Sequence, residues 1–176
     1  NPKWSARTAP PDANEGIFMR VPAFAALIVL LDQLTKYVVA TRLKPIATHA
    51  VIPGFFNLSY VENQGAAWGM LAGRQLFLIA FSVITLGFLI WKRRQLFMHL
   101  WGSTLTMSLL FGGVVGNLID RVRLNYVIDF LDFHWRQAYH FPSFNVADAS
   151  ICCGVFLFIA TQWHYDKIKQ APGVER

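Results

Sequence analysis

Long apolar runs separated by short polar breaks set the layout of the chain. Four stretches, Val21 to Ala40, Gln75 to Trp91, Met98 to Ile119 and Val146 to Tyr165, are long and apolar enough to cross a hydrocarbon core as helices. The second is the shortest, and Met70 to Ala72 can extend it if Arg74 snorkels to the interface. The first is too long for the apolar core of a cleavable signal peptide, carries Asp32 and Lys36, and lacks a small-x-small cleavage site. It is therefore expected to remain as a transmembrane helix. Asn1 to Gly16 is polar, holds Pro2, Pro10 and Pro11, and is expected to be disordered. Between the first two runs, Phe55 to Val61 alternates partly and is rich in aromatic residues, and Asn63-Gln64-Gly65 follows. That reads as a strand and a turn, part of a small sheet lying on the membrane surface.

The pattern predicts an α-helical membrane protein, a four-transmembrane-helix bundle with a small extracytoplasmic β-sheet. Its expected divisions are a disordered cytoplasmic tail over 1–19, a membrane domain over 20–167 with outer loops 41–74 and 120–145, and a cytoplasmic tail over 168–176. Composition agrees: 55% of the residues are hydrophobic and only 15% charged, too few charges for a soluble domain. The net charge of +6 matters less than where the charges lie. Lys3, Arg7, Arg20, Lys92, Arg93, Arg94, Lys167, Lys169 and Arg176 fall on one side; Arg42, Lys44, Arg74, Arg121, Arg123 and Arg136 fall on the other. The Lys92 to Arg94 cluster, expected in a very short loop, puts both termini in the cytoplasm. Nucleic acid is not an expected partner. Cys152 and Cys153 are adjacent in an apolar run and read as two small buried thiols, not as a staple.

Ionisable groups inside a span are costly, so Asp32, Lys36 and Asp148 each need a partner or a role. Asp32 and Lys36 lie four apart on one helix face and form either a buried structural pair or part of a reactive site. Asp148 follows Asn145 by three residues at the mouth of the fourth helix, which fits a capping box as well as a catalytic acid. At the end of the third run, Gly112 and Gly116 permit a close helix approach, and Asn117 and Asp120 share a face beside Arg121. Asp129 and Asp132 interrupt the apolar segment Val127 to Phe133, where desolvation raises a carboxyl pKa. In a strand the two acids face opposite ways and in a helix the same way, so spacing does not choose between them. Two carboxylates converging at membrane depth can share a proton and activate water for peptide hydrolysis. No Gly-x-Ser-x-Gly is present to compete.

Five segments then carry a resemblance: Asp32-Gln33-Leu34-Thr35-Lys36, Glu62-Asn63-Gln64-Gly65-Ala66-Ala67-Trp68-Gly69, Gly116-Asn117-Leu118-Ile119-Asp120-Arg121, Val127-Ile128-Asp129-Phe130 and Phe144-Asn145-Val146-Ala147-Asp148. Their order is that of the bacterial lipoprotein signal peptidases, the type II signal peptidases, and the chain resembles a full-length member over roughly Arg20 to Lys167. The resemblance implies an aspartyl endopeptidase of the bacterial inner membrane, without metal or other cofactor. It would remove the signal peptide from diacylglyceryl-modified prolipoproteins just before the lipidated cysteine, at a site toward the outer face. It implies Asp129 and Asp148 as the catalytic pair, with Asp132 a neighbour. Asn63, Asn117, Arg121 and Asn145 resemble residues that contact substrate or support the pair, and Asp32, Lys36 and Asp120 resemble structural supports. The loop carrying Asn63 would be a sheet-like cradle over the cleft, membrane lipid would adjoin the site, and the cyclic peptide globomycin would block it. Phe130, Phe133, Trp68 and Phe141 are candidate cleft walls, though aromatic residues at an interface also serve as anchors.

A proton- or ion-coupled transport module is the alternative, with Asp32, Lys36 and Asp148 as a relay. Against it, Asp32 is mid-span, Asp148 is at the outer edge, and no acid occurs in the second or third span before Asn117. A bis-histidine haem site at His99 and His164 and a metal site using His134 and His140 have still less support, since no close ligand spacing is present.

Overall fold

In the computed structural model, which describes residues 11–66, 69–97, 102–135 and 139–170, each apolar run forms a helix. The elements in chain order are α1 (Pro11–Arg42), β1 (Thr48–Ile52), β2 (Phe56–Asn63), α2 (Gln75–Phe97), α3 (Ser103–Leu124), β3 (Val127–Trp135), β4 (Tyr139–His140) and α4 (Val146–Gln170). All four helices contain spans long and apolar enough for a bilayer. Their outward faces carry large exposed apolar side chains such as Leu76, Phe81, Ile84, Phe156 and Trp163, as a lipid-facing surface requires. The protein is thus a multi-pass membrane protein.

Several boundaries differ from those the hydrophobic pattern predicts. Helix α1 begins at Pro11, so residues 11–16 are helical where disorder is expected; Asn1 to Pro10 lie outside the described residues. Proline suits a first helical position because its missing N–H would have no partner there. Helix α2 runs on through the Lys92 to Arg94 cluster instead of ending in a loop at Trp91. Lysine and arginine are good helix formers, and the continued helix keeps backbone groups paired beyond the apolar span. Met70 to Ala72 do not extend α2 at its other end, because Gly69, Leu71 and Gly73 all have positive φ. Helix α3 starts after the left-handed Gly102 and stops before the left-handed Asn125, so Asp120 and Arg121 belong to its last turns and not to a loop. Helix α4 continues to Gln170, past the boundary expected at 167. Cys152 and Cys153 are exposed on the outer surface of α4, not buried.

Helix α3 is the most buried of the four and packs against α1, α4 and, less extensively, α2. Three glycines permit this. A Cβ on Gly112 would lie 2.7 Å from the Ile28 side chain of α1, and one on Gly113 would lie 2.5 Å from the Ala147 carbonyl oxygen of α4. A Cβ on Gly116 would meet Asp32 at 2.7 Å. One apolar cluster, Val21, Leu89, Phe97 and Met107, closes the end of the bundle away from the sheet. A second, Val39, Leu43, Ile128 and Phe130, joins α1 to β3 and glues the sheet to the opposite end.

The strands form an antiparallel sheet in the order β1-β2-β3-β4. Val61 pairs with Asp129 and Asn63 with Val127, after a register shift between Leu58 and Val61. Asn63 and Asp129 are therefore diagonal neighbours on one face of the sheet. The segment before α4 is tied to the same strand, because Phe130 and Leu131 both donate their N–H groups to the Phe144 carbonyl, at 3.0 and 2.8 Å. That tie brings Asn145 and the start of α4 beside Asp129.

Candidate active site

The site is built upward from a buried ion cluster between α1 and α3. Lys36, 2% exposed, sends its Nζ to Asp32 Oδ2 at 2.9 Å, Asp120 Oδ2 at 2.8 Å and Asn117 Oδ1 at 3.0 Å. An ammonium has three donors, and all three are used. The carboxylates are equally engaged. Asp32 Oδ1 accepts the Ala147 N–H of α4 at 2.9 Å, and Asp120 Oδ2 accepts the Ile128 N–H of β3 at 3.2 Å. Gln33 Nε2 reaches Asp120 Oδ1 at 2.9 Å. One buried cluster thereby fixes where β3 starts and where α4 starts.

The next layer consists of amides. Asn145 precedes α4 and forms a capping box with Asp148. Its Oδ1 accepts the Asp148 N–H at 2.9 Å, and its own N–H donates to Asp148 Oδ2 at 3.2 Å. The two roles that the sequence leaves open for Asp148 are compatible, since its other oxygen remains directed toward α3. There Asp148 Oδ1 accepts Asn117 Nδ2 at 2.7 Å. Asn145 Nδ2 donates to Asn117 Oδ1 at 3.2 Å and to Asp129 Oδ1 at 2.7 Å. The second oxygen of Asp129 accepts Asn63 Nδ2 at 2.8 Å, and Asn63 is held in that orientation because its Oδ1 accepts the Gly65 N–H at 2.9 Å.

Asp129 and Asp148 are thus gathered around Asn145, which donates to both. Each carboxylate receives two N–H donors, so both are oriented before any substrate arrives. Burial first, and then the charge of Asp148, push the Asp129 carboxyl up from its ordinary value to about 7; the Asn63 and Asn145 amides and the Lys36 charge offset part of this. Arg121 lies alongside, with Nη2 3.4 Å from the Gly65 carbonyl and a buried Nε that has no partner in the structure. Such a group of acids and donors can hold an extended backbone and move protons on and off it.

Asp132 is not part of this group. It faces the other way on β3, as strand spacing requires, and accepts Asn57 Nδ2 at 3.1 Å and Ser59 Oγ at 3.2 Å. Of the candidate walls, Phe130 is a core residue at 5% exposure and not a wall. Phe133 stacks on Phe56 and Phe144, Phe141 is exposed and packs edge-on to Phe144, and Trp68 lies outside the described residues. His134 and His140 oppose each other in the register of β3 and β4. Among the described residues no three His, Cys, Asp or Glu side chains form a metal-binding group. Sequence reasoning gave no separate role to Gln33, Gly65 or Gly113. A polar side chain beside Asp32 in an apolar span was the available signal for Gln33, whereas the contacts of the two glycines depend on which helix or turn comes to face them.

Residues 24–164 match the family described as signal peptidase (SPase) II. A lipoprotein signal peptidase of Syntrophotalea carbinolica is 46% identical over 142 residues, covering 79% of this chain and 88% of the relative. One from Caldanaerobacter subterraneus subsp. tengcongensis is 48% identical over 134 residues, covering 75% and 88%. Among solved structures, a bacterial membrane enzyme determined by the in meso method at 2.3 Å resolution superposes with a TM-score of 0.75. It is 36% identical, and the match covers 89% of this chain and 94% of that one.

Proposed function

The chain belongs to the signal peptidase II family, and from that premise we propose that it removes signal peptides from diacylglyceryl-modified prolipoproteins with Asp129 and Asp148 as its catalytic pair. One observation carries the assignment: Asn145 donates to both carboxylates, so two acids distant in sequence are bound to one residue at the junction of sheet and bundle. In the reaction, one carboxylate takes a proton from water as the water oxygen attacks the scissile carbonyl carbon. The other, protonated, acid gives its proton to the carbonyl oxygen. Collapse of the tetrahedral intermediate breaks the C–N bond as the departing amine takes the proton from the protonated acid and one hydroxyl of the intermediate returns its proton to the other carboxylate, which restores the singly protonated pair. No covalent enzyme intermediate forms.

The remaining groups have roles suited to this chemistry. The amide donors of Asn63 and Asn117 orient the acids, and Arg121 offers a cation beside the cleft for a substrate carbonyl. The cleavage point is the bond before the lipidated cysteine, which enters sideways from the bilayer. The protein sits in the bacterial inner membrane with both termini cytoplasmic and the sheet at the outer face, and globomycin occupies the same cleft. The relay alternative fits less well, because Asp32 and Lys36 are closed on each other, on Asp120 and on Asn117, which leaves the ammonium no free donor.

The test is cleavage of a lipidated precursor by purified protein. Asp129→Asn and Asp148→Asn are each expected to lower kcat by about 10³-fold or more while the protein still inserts and remains helical. Normal turnover by either variant would refute the pair.

A further inference from the structure

Lys36 makes one contact that charge compensation does not require. Asp32 and Asp120 already surround its ammonium at 2.9 and 2.8 Å, yet its third donor goes to a neutral amide oxygen, Asn117 Oδ1, at 3.0 Å. An asparagine amide can point either way, but an ammonium has no lone pair and can only donate. The atom of Asn117 facing Lys36 must therefore be oxygen, and Nδ2 must face Asp148 Oδ1, 2.7 Å away. Asn145 Nδ2 donates to that same oxygen at 3.2 Å, and Asn145 is itself oriented by the Asp148 N–H. Hydrogen-bond direction thus runs from Lys36 through Asn117 to Asp148, and from Asn145 to Asp129.

Building on the Asp129–Asp148 reading above, we propose that Lys36 is a positioning residue for the peptidase: its ammonium sets the polarity of the Asn117 amide and places a buried positive charge beneath the two acids. The charged groups around it are Asp32 on its own helix, Asp120 on α3, Asp148 on α4 and Asp129 on β3, and Arg121 of α3 adds a second cation near the last three acids. Its charge acts on Asp129 in the direction that favours ionisation. A residue that only braces α1 against α3 would serve as well with any satisfied pair, and its loss would not move a titration.

The test compares Asp120→Asn with the double variant Lys36→Met/Asp120→Asn, which differ at Lys36 alone. The double variant keeps the cluster's formal charge at that of the native protein, and Asp32 keeps its Ala147 and Gln33 partners. Relative to D120N, the double variant is expected to lose kcat by about 10–100-fold with KM changed less than about threefold. The acid limb of kcat/KM is expected to rise by about one pH unit. Superposable pH profiles, or a loss confined to KM, would overturn the proposal. Failure of both K36M/D120N and Lys36→Gln/Asp120→Asn to fold, with D120N folded, would likewise overturn it by assigning Lys36 to fold maintenance. Asp129→Asn run alongside separates the two readings: if it cleaves, the pair itself is wrong; if it does not and the pH profiles superpose, only the role of Lys36 falls.

Discussion

Asp129 is the residue whose protonation carries a visible energetic signature. Its folded pKa is raised from 3.8 to about 7, so between those values the folded state holds a proton that the unfolded state has released. The stabilisation from this group is complete below pH 3.8, is lost as pH rises through about 7, and leaves a flat profile above. Asp129→Asn is expected to abolish that decline, which thermal unfolding between pH 4 and 9 would detect; an unchanged slope would show that Asp129 ionises freely. The position of this acid in an apolar segment was readable from sequence. Its partners were not, because Asn63 and Asn145 reach it only through a register shift in β2 and the tie of Phe144 to β3.

Helix packing depends on what the glycines touch. A Cβ on Gly113 would press on the Ala147 carbonyl and Ile151, which are not flexible side-chain ends, so Gly113→Ala is expected to cost about 1–3 kcal/mol. Gly116→Ala would push Asp32 off its place in the ion cluster and lower activity as well as stability. Gly87 on α2 has nothing within 4 Å of a built Cβ, so Gly87→Ala should be neutral or stabilise by up to about 1 kcal/mol. Unfolding in mixed micelles would rank the three, and equal losses would refute the packing account. The Gly-x-x-x-Gly spacing announced close approach, and the apolar runs announced the spans. Their ends were less legible, since basic residues such as Lys92 to Arg94 remain helical beyond the apolar core and left-handed residues such as Asn125 terminate a helix without a hydrophobic cue. Strands β1 and β4 gave little signal: one is exposed at every position and the other is only two residues long.

For the molecule as a whole, the four spans among the described residues bring Val21 near the start of α1 and Tyr165 near the end of α4 into the apolar cluster at the bundle end away from the sheet. Cys152 and Cys153, exposed on α4 within its span, offer a direct check. In intact membranes they should resist a charged, membrane-impermeant maleimide, because a thiol facing hydrocarbon stays protonated, while a cysteine placed at Val51 in β1 reacts with it. Ready labelling of the native thiols by the charged reagent would mean that α4 lines water. The four-helix plan and the two acids were visible in the sequence; the amide lattice that joins them was not, because it spans α1, α3, β3 and α4.

That lattice links assembly to competence. The Lys36 ammonium is satisfied only when α1 meets α3, Asp32 closes on Ala147 only when α4 arrives, and Asn145 reaches Asp129 only when β3 is seated. A half-inserted chain therefore leaves Asp148 without the Asn117 amide and Asp129 without the Asn145 amide that orient them.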